Sequence, residues 1–433
     1  SSLPTSLRSK MPPKKSKAAA EEVVDDITRK ARFGRVKNNL KMGLVGLPNV
    51  GKSSLFNLMT QQSVPAENYP FCTIEPSEAK CPVPDQRFKF LCELFGPPSK
   101  VPAVLSVTDI AGLIKGAAEG AGLGNAFLSH IAAVDGIFHL VRAFENDEVV
   151  HVDDSVDPVR DLDTIASELC AKDIEFANAC YEKAFADARK AQGCSRSSQP
   201  KGMDSLMEVH QKIMQLLEGN TPIALADWTG GEVEIIKEFY TLITTKPIVY
   251  LVNLNKRDYC RKRNKFLPKI NEWVQSHGGG TIIPFSVEFE SEVWDLHEDA
   301  EAQQAFLEQC RAEFCNNEGP PIKSILPRIV KTGYKALNLI NYFTAGDTEV
   351  RAWTIYNGTL APQAAGVIHS DFERGFIKAE TVAFEDFKAL CNGKASMAGV
   401  KDAGKYRQEG RQYVVKDGDI LNFQFNVTGA KKK

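Results

Sequence analysis

The stretch Gly46-Leu47-Pro48-Asn49-Val50-Gly51-Lys52-Ser53 has the spacing G-x-x-x-x-G-K-S. That spacing gathers successive backbone N–H groups around one point, where they cradle nucleotide phosphates. A helix starting at the loop would add the positive end of its dipole. The residues expected to touch nucleotide are Asn49, Val50, Gly51, Lys52, Ser53 and Ser54. Lys52 should reach the β- and γ-phosphates as a catalytic charge, and the Ser53 hydroxyl should ligate Mg²⁺.

Hydrolysis needs more than a cradle: a further metal-shell residue and a sensor of the γ-phosphate. Thr73, in the loop-like segment Asn68–Pro76, carries a hydroxyl for Mg²⁺. The run Val104-Leu105-Ser106-Val107-Thr108-Asp109-Ile110-Ala111-Gly112 is β-rich and ends in D-x-x-G. Asp109 is expected to hold Mg²⁺ through water. The Gly112 N–H is expected to bond the γ-phosphate and let go after hydrolysis. Leu113 follows this glycine, and an apolar side chain does not position an attacking water. His151 is the candidate for that task, because imidazole bonds water at neutral pH. His139 lies inside an apolar run and reads as a core residue.

The elements that must position these groups are legible as hydrophobic pattern. Lys41–Val45 is short and apolar, as a buried strand is, and Ser54–Met59 has helical spacing. Further strands are expected around Gly136–Val141 and at Lys246–Val252. From about Asp161 to Tyr240 the period turns helical: Leu162, Ile165, Leu169, then Leu206, Val209, Ile213, Leu216, then Val233, Ile236, Tyr240. A polar break, Gly193–Pro200, separates the first two runs. We read an antiparallel, coiled-coil-like hairpin with these stripes as its packing seam; a partner-binding arm is the functional alternative. A mixed helical connector spans about 290–340. Beyond it Trp353–Tyr356 and the alternating Leu421, Phe423, Phe425 and Val427 read as strands. Turns at Glu409-Gly410 and Asp417-Gly418 are expected to bound two hairpin-like strands. Lys401, Lys405, Arg407 and Arg411, interleaved with Tyr406 and Tyr413, form either a solvated face or an RNA contact.

A net charge of −2 over 433 residues gives no global field for nucleic acid, so any such contact must come from local patches. No apolar run is long enough to span a bilayer, and no signal-peptide core is evident. The ten cysteines form no CxxC pair and the seven histidines no HExxH, which leaves no zinc pattern. Residues 1–39 read as a mobile basic tail, a solvated leader or a weak RNA tether, with Met11 a candidate natural start.

Together these segments resemble the YchF-type Obg-like ATPases, a subfamily of the Obg-related P-loop GTPases. The resemblance is carried by Gly46–Ser54, Asn68–Pro76, Asp109–Gly116 and Gly122–Leu128. It runs on through Gly404-Lys405-Tyr406-Arg407 and Asp417-Gly418-Asp419, over roughly residues 40–427. It implies an α/β fold: a GTPase-like P-loop domain (40–305) interrupted by a helical coiled-coil arm (160–240). A connector (306–340), a β-grasp TGS domain (341–427) and a basic tail (428–433) would follow. It implies hydrolysis of ATP to ADP and phosphate, a catalytic role for His151, and a K⁺ ion held with help from Asn49. The implied partner is the ribosome, through its large subunit, with RNA contact by the TGS domain and the arm. A monomer in the cytoplasm, and also in the nucleus, with no membrane contact, is the expected state.

Base recognition has two registers. Asn255-Lys256-Arg257-Asp258 literally reads N-K-x-D, whose carboxylate accepts from guanine N1–H and the 2-amine. The register implied by the resemblance puts Asn253 and Leu254 at the base, in an N-x-x-E pattern where Lys256 stands in place of Glu. The first predicts a GTPase, the second an ATPase that also uses GTP. A third reading, prompted by Leu113, is a nucleotide-gated ribosome- or RNA-binding module whose hydrolysis is incidental. Ser286, in Pro284-Phe285-Ser286-Val287, reads as a structural residue of the last base-side loop.

Overall fold

The computed structural model describes residues 33, 40–63, 77–110, 130–146, 155–193 and 200–426. Seven strands fall in the first part of the chain: β1 (Lys41–Val45), β2 (Glu78–Pro82), β3 (Ser99–Val101), β4 (Val104–Asp109), β5 (Gly136–Arg142), β6 (Ile248–Asn253) and β7 (Thr281–Phe285). Six of them make one sheet in the order β2-β4-β1-β5-β6-β7. Only β2 runs antiparallel, against β4; the other pairings are parallel. Central strands β5 and β6 are buried along nearly their whole length. That is why their sequences are continuous apolar runs rather than alternations.

Helices α1 (Lys52–Gln61) and α2 (Gln86–Phe95) belong to the first half of this unit. Next come α3 (Pro158–Gln192), α4 (Asp204–Glu218) and α5 (Gly230–Phe239). Strand β6 is followed by α6 (Lys256–Arg261) and α7 (Leu267–Ser276). Then come α8 (Val287–Asp295), α9 (Ala300–Cys315) and α10 (Leu326–Ala336).

Helix α3 starts at Asp157, whose carboxylate accepts from the N–H groups of Val159 and Arg160, with Pro158 in the first turn. It ends at Gly193 in the left-handed region, behind Arg189 and Lys190, which suit the negative end of the dipole. At 35 residues it is about 50 Å long. The expectation of one seam is corrected here. Ile165 and Leu169 pack into the main core and Leu162 joins Val141 and Trp273, so this stripe docks α3 on the sheet. The hairpin seam begins beyond it, where Cys170 and Ala177 meet Leu206, Val209, Ile213 and Leu217. Leu217, not Leu216, is the fully buried residue of that last turn. The two helices run antiparallel: Tyr181 stacks on His210 at 4.2 Å, and the Gln192 side chain bridges to the Lys201 backbone at the far end.

Past α10 the chain forms β8 (Leu339–Ala345), β9 (Glu349–Tyr356), α11 (Ala361–Ile368), α12 (Ser370–Arg374) and β10 (Phe376–Ala383). Then follow α13 (Phe384–Leu390), α14 (Ala398–Asp402), β11 (Arg407–Glu409) and β12 (Asp419–Phe425). The second sheet has the order β11-β10-β12-β8-β9-β3. Of the two hairpin-like strands expected beside the turns at Glu409-Gly410 and Asp417-Gly418, residues 411–416 between the turns form no strand, and β11 and β12 pair with β10 from opposite sides. Strand β12 is internal to the sheet, so Asp419, Ile420 and Leu421 are all buried, while Phe425 at its end is 37% exposed. The alternation expected there holds from Leu421 to Phe423 and fails at Phe425, and Val427 lies outside the described residues.

The two sheets share material. Strand β3 lies between β2 and β4 in sequence, yet it pairs in parallel with β9 (Ser99↔Glu349, Val101↔Arg351). Phe90 and Phe95 of α2 meet Phe384 and Phe387 of α13 at 5.7 and 6.1 Å between ring centres. The Arg87 guanidinium bonds both oxygens of Asp417 while also holding Asp85. Among the described residues no helix is long and apolar enough to cross a membrane.

Candidate nucleotide site

The carboxyl ends of the parallel strands converge at one edge of the first sheet. Leu44 stands beside Asp109, Val45 beside His139, Arg142 beside Asn253, and Asn253 beside Phe285. Ligands of open α/β sheets bind at such an edge. The loop between β1 and α1 occupies it. Asn49 and Gly51 both have positive φ, 62° and 95°, which turns the backbone inward. A Cβ on Gly51 would lie 2.5 Å from Asn253 Nδ2, so position 51 requires glycine twice over. Helix α1 begins at Gly51 with no side-chain cap and no acidic residue in its first turn. Its first N–H groups are thus left for a ligand. Ser53 and Ser54 are exposed in that turn, Asn49 is exposed, and Val50 is buried.

Lys52 Nζ lies 2.9 Å from Asp109 Oδ1, joining the loop to the end of β4. The pair is only partly shielded, with side-chain exposures of 11% and 25%. A hydroxyl at Ser53 and a carboxylate at Asp109 are the hard oxygen donors that Mg²⁺ takes. Among the described residues no trio of His, Cys, Asp or Glu could hold a metal by itself. Mg²⁺ does not need one, since it keeps waters and phosphate oxygens. Thr73, Gly112, Leu113 and His151 lie outside the described residues. His139 sits in the core against Tyr250, and burial pushes its imidazole down to about 4.

Asn253 ends β6 and is buried. Its Nδ2 donates to Val50 O at 3.0 Å, and its Oδ1 accepts from Val287 N–H at 3.2 Å. One side chain thereby ties the phosphate loop to the loop before α8. Leu254 donates its N–H to Phe285 O and buries its side chain among Val141, Tyr250 and Trp273, so that side chain does not face the loop. The N-K-x-D letters do a different job. Asn255 caps α6, its Oδ1 accepting from Asp258 N–H at 2.7 Å. The Asp258 carboxylate accepts from Asn264 at 2.7 Å. Ser286 caps α8, as a structural residue would.

The pattern did not single out Val287, Glu288 or Arg142. Arg142 is buried at the end of β5, donating to Phe144 O and Asn146 O across the Phe144 ring. Its signal was a lone arginine closing an apolar run. The signal for Glu288 was subtler: a lysine at 256 calls for carboxylates nearby. Glu288 and Glu292 of α8 supply them, one at the Lys256 N–H and one at its ammonium.

Comparison with known proteins agrees with this arrangement. Residues 41–174 match a family model described as a 50S ribosome-binding GTPase. Residues 339–426 match the model YchF-GTPase_C, described as a protein of unknown function (DUF933). An Obg-like ATPase 1 from Oryza sativa subsp. japonica is 52% identical over 423 residues, 98% of this chain and 100% of the relative. The Obg-like ATPase 1 from Homo sapiens is 48% identical over 425 residues, with the same coverage of each chain. The solved structure of the Schizosaccharomyces pombe YchF GTPase superposes with a TM-score of 0.76 at 46% identity, covering 90% of this chain and 99% of that one. An α/β P-loop GTPase fold, identity near one half and alignment over almost the whole length leave one assignment: the chain belongs to the YchF family of Obg-like ATPases.

Proposed function

We propose that this protein is a P-loop nucleoside triphosphatase that hydrolyses ATP to ADP and phosphate, with GTP as a competing substrate. The observation that carries the reading is the meeting of Lys52 and Asp109 at the mouth of a left-handed glycine loop. The lysine is held by the carboxylate. Phosphate oxygens would compete for the same ammonium, turning it toward the β- and γ-phosphates and freeing Asp109. The exposed N–H groups at the start of α1 would bind the remaining phosphate oxygens. Mg²⁺, held by Ser53, Thr73 and Asp109, would neutralise charge on the transferring group. Gly112 would sense the γ-phosphate, and His151 would orient the attacking water in place of the residue that Leu113 lacks.

The base-side geometry supports adenine over guanine. Asn255 and Asp258 are engaged in capping α6 and holding Asn264, whereas Asn253 stands at the loop itself. Competition of ATP and GTP against a fluorescent nucleotide tests this. Asn253→Ala should weaken binding and Asp258→Ala should not; tighter GTP binding lost in Asp258→Ala would instead mark a GTPase. For the chemistry, His151→Ala should abolish phosphate release. Unchanged turnover in that variant, with ribosome co-sedimentation lost in Lys52→Ala, would favour a binding module with incidental hydrolysis.

We further read the protein as a ribosome-associated switch acting through the large subunit in the cytoplasm. The match of residues 41–174 to a 50S ribosome-binding GTPase model supports this. The β8–β9 hairpin with β12 parallel beside β8 suits a β-grasp TGS domain over 341–427, after a 306–340 connector. The antiparallel α3–α4 pair suits a coiled-coil arm within a 40–305 nucleotide domain. Both are candidate RNA contacts, and the exposed, left-handed Asn49 is the candidate K⁺ contact.

A further inference from the structure

The base rim of this chain departs from the pattern its resemblance implies: Lys256 stands where a carboxylate is expected. The Lys256 side chain does not fill that role. Its ammonium pairs with Glu292 and lies 4.8 Å above the centre of the Phe306 ring, engaged with α8 and α9. The carboxylate at this point of the chain comes from elsewhere. Glu288 Oε2 accepts from the backbone N–H of Lys256 at 3.3 Å. Glu288 follows Val287, whose N–H is bonded to Asn253 Oδ1, and Asn253 in turn holds Val50 of the phosphate loop. Position 288 is thus one residue past the backbone N–H that Asn253 Oδ1 accepts from, and it is exposed.

We propose that Glu288 is the specificity-determining carboxylate for the base and accepts a hydrogen bond from the 6-amino group of adenine. This rests on the reading of the site as a nucleotide site. The inventory of groups at the rim favours adenine. Val287 N–H, the backbone donor that could meet a 6-oxo group, is already given to Asn253. The Glu288 side chain contributes only an acceptor. At position 6 adenine presents a donor and guanine an acceptor, so a carboxylate facing that position complements the first and repels the second. The carboxylate is carried by the start of α8 rather than by α6, and it lies against the backbone N–H of Lys256.

The test is competition binding on the full chain with fluorescent ADP as probe, using diphosphates so that hydrolysis does not intervene. The competitors are ADP, purine riboside 5′-diphosphate (no amine), and GDP. Wild type should bind ADP about tenfold more tightly than the amine-free analogue, the size of one net hydrogen bond at an exposed rim. Glu288→Ala should bring the two within about twofold, by loss of ADP affinity alone. Adding Lys256→Glu to Glu288→Ala should restore much of the preference. Glu288→Gln, which keeps an acceptor oxygen, should lie between. Full ADP preference in Glu288→Ala overturns the proposal. Loss of GDP rather than ADP affinity in that variant overturns the adenine assignment. A wild type that binds none of the three removes the nucleotide site itself, a failure distinct from both.

Discussion

Two regions of the molecule use the same pair of residue types, one lysine and one aspartate, to opposite ends. At the phosphate loop the side chains of Lys52 and Asp109 meet each other, partly open to solvent. At the root of the helical hairpin each partner is held separately, by backbone groups and, for Asp173, by one hydroxyl as well. Asp173 of α3 accepts from Ile243 N–H, Thr244 N–H and the Thr244 hydroxyl at 2.6 to 2.7 Å. Lys246 donates to the carbonyls of Ile131, Ala132 and Val134. The difference teaches what an exchangeable charge looks like. A cation held by one carboxylate is available to a phosphate, whereas one ringed by three carbonyls is a weld.

The comparison can be broken by substitution. Lys52→Met should lower phosphate release by roughly a hundred- to a thousandfold, the scale of removing one transition-state donor. Its thermal stability should stay near wild type, because the ion pair it removes is partly exposed. The weld should behave in reverse. Asp173→Ala should cost about 3 kcal/mol in urea unfolding, since it strands buried donors, while nucleotide affinity stays within a few-fold. A large catalytic loss without destabilisation there would dissolve the distinction.

The weld also carries a pH signature. Burial pushes the Asp173 carboxyl up to about 6 from an ordinary 3.8, against the lowering effect of its hydrogen bonds and of Lys246. The folded state therefore holds this proton more tightly than the unfolded chain. Its contribution to stability is complete below about 4 and is lost as pH rises through about 6. Relative to Asp173→Asn, wild type should lose about 3 kcal/mol across that window. A parallel pair of stability curves would show that Asp173 does not titrate there.

Smaller effects sharpen the picture. Gly51→Ala should destabilise by about 1–3 kcal/mol from backbone strain, with loss of nucleotide binding because the new Cβ meets Asn253. Asp417→Ala, which removes one of two carboxylates from a half-exposed pairing with Arg87, should cost no more than about 1 kcal/mol in the same unfolding assay.

What was legible in the chain follows from range. Strands β1, β4, β5 and β6 announced themselves because burial on both faces, or on one, writes directly into local pattern. The phosphate loop was readable because its function is carried by consecutive backbone groups. The welds were not. Asp173 and Thr244 are 71 positions apart, and nothing local marks either as a partner. Strand β3, three residues of Ser-Lys-Val, has no period to detect and gains its identity from β9. Likewise Asn253 and Asn255 are the same residue type two positions apart. Only geometry separates the one that joins two loops from the one that caps a helix.

Strand β3 carries a consequence for modularity. A segment cut at the start of β8 would carry the whole of the second sheet except its outermost strand. The cut would strip β9 of its neighbour and leave a row of backbone donors and acceptors open to any other chain. Fragments beginning there should self-associate or misfold, and grafting this domain onto another protein should fail unless residues 99–101 travel with it. The border of this domain in space does not coincide with any border along the polypeptide.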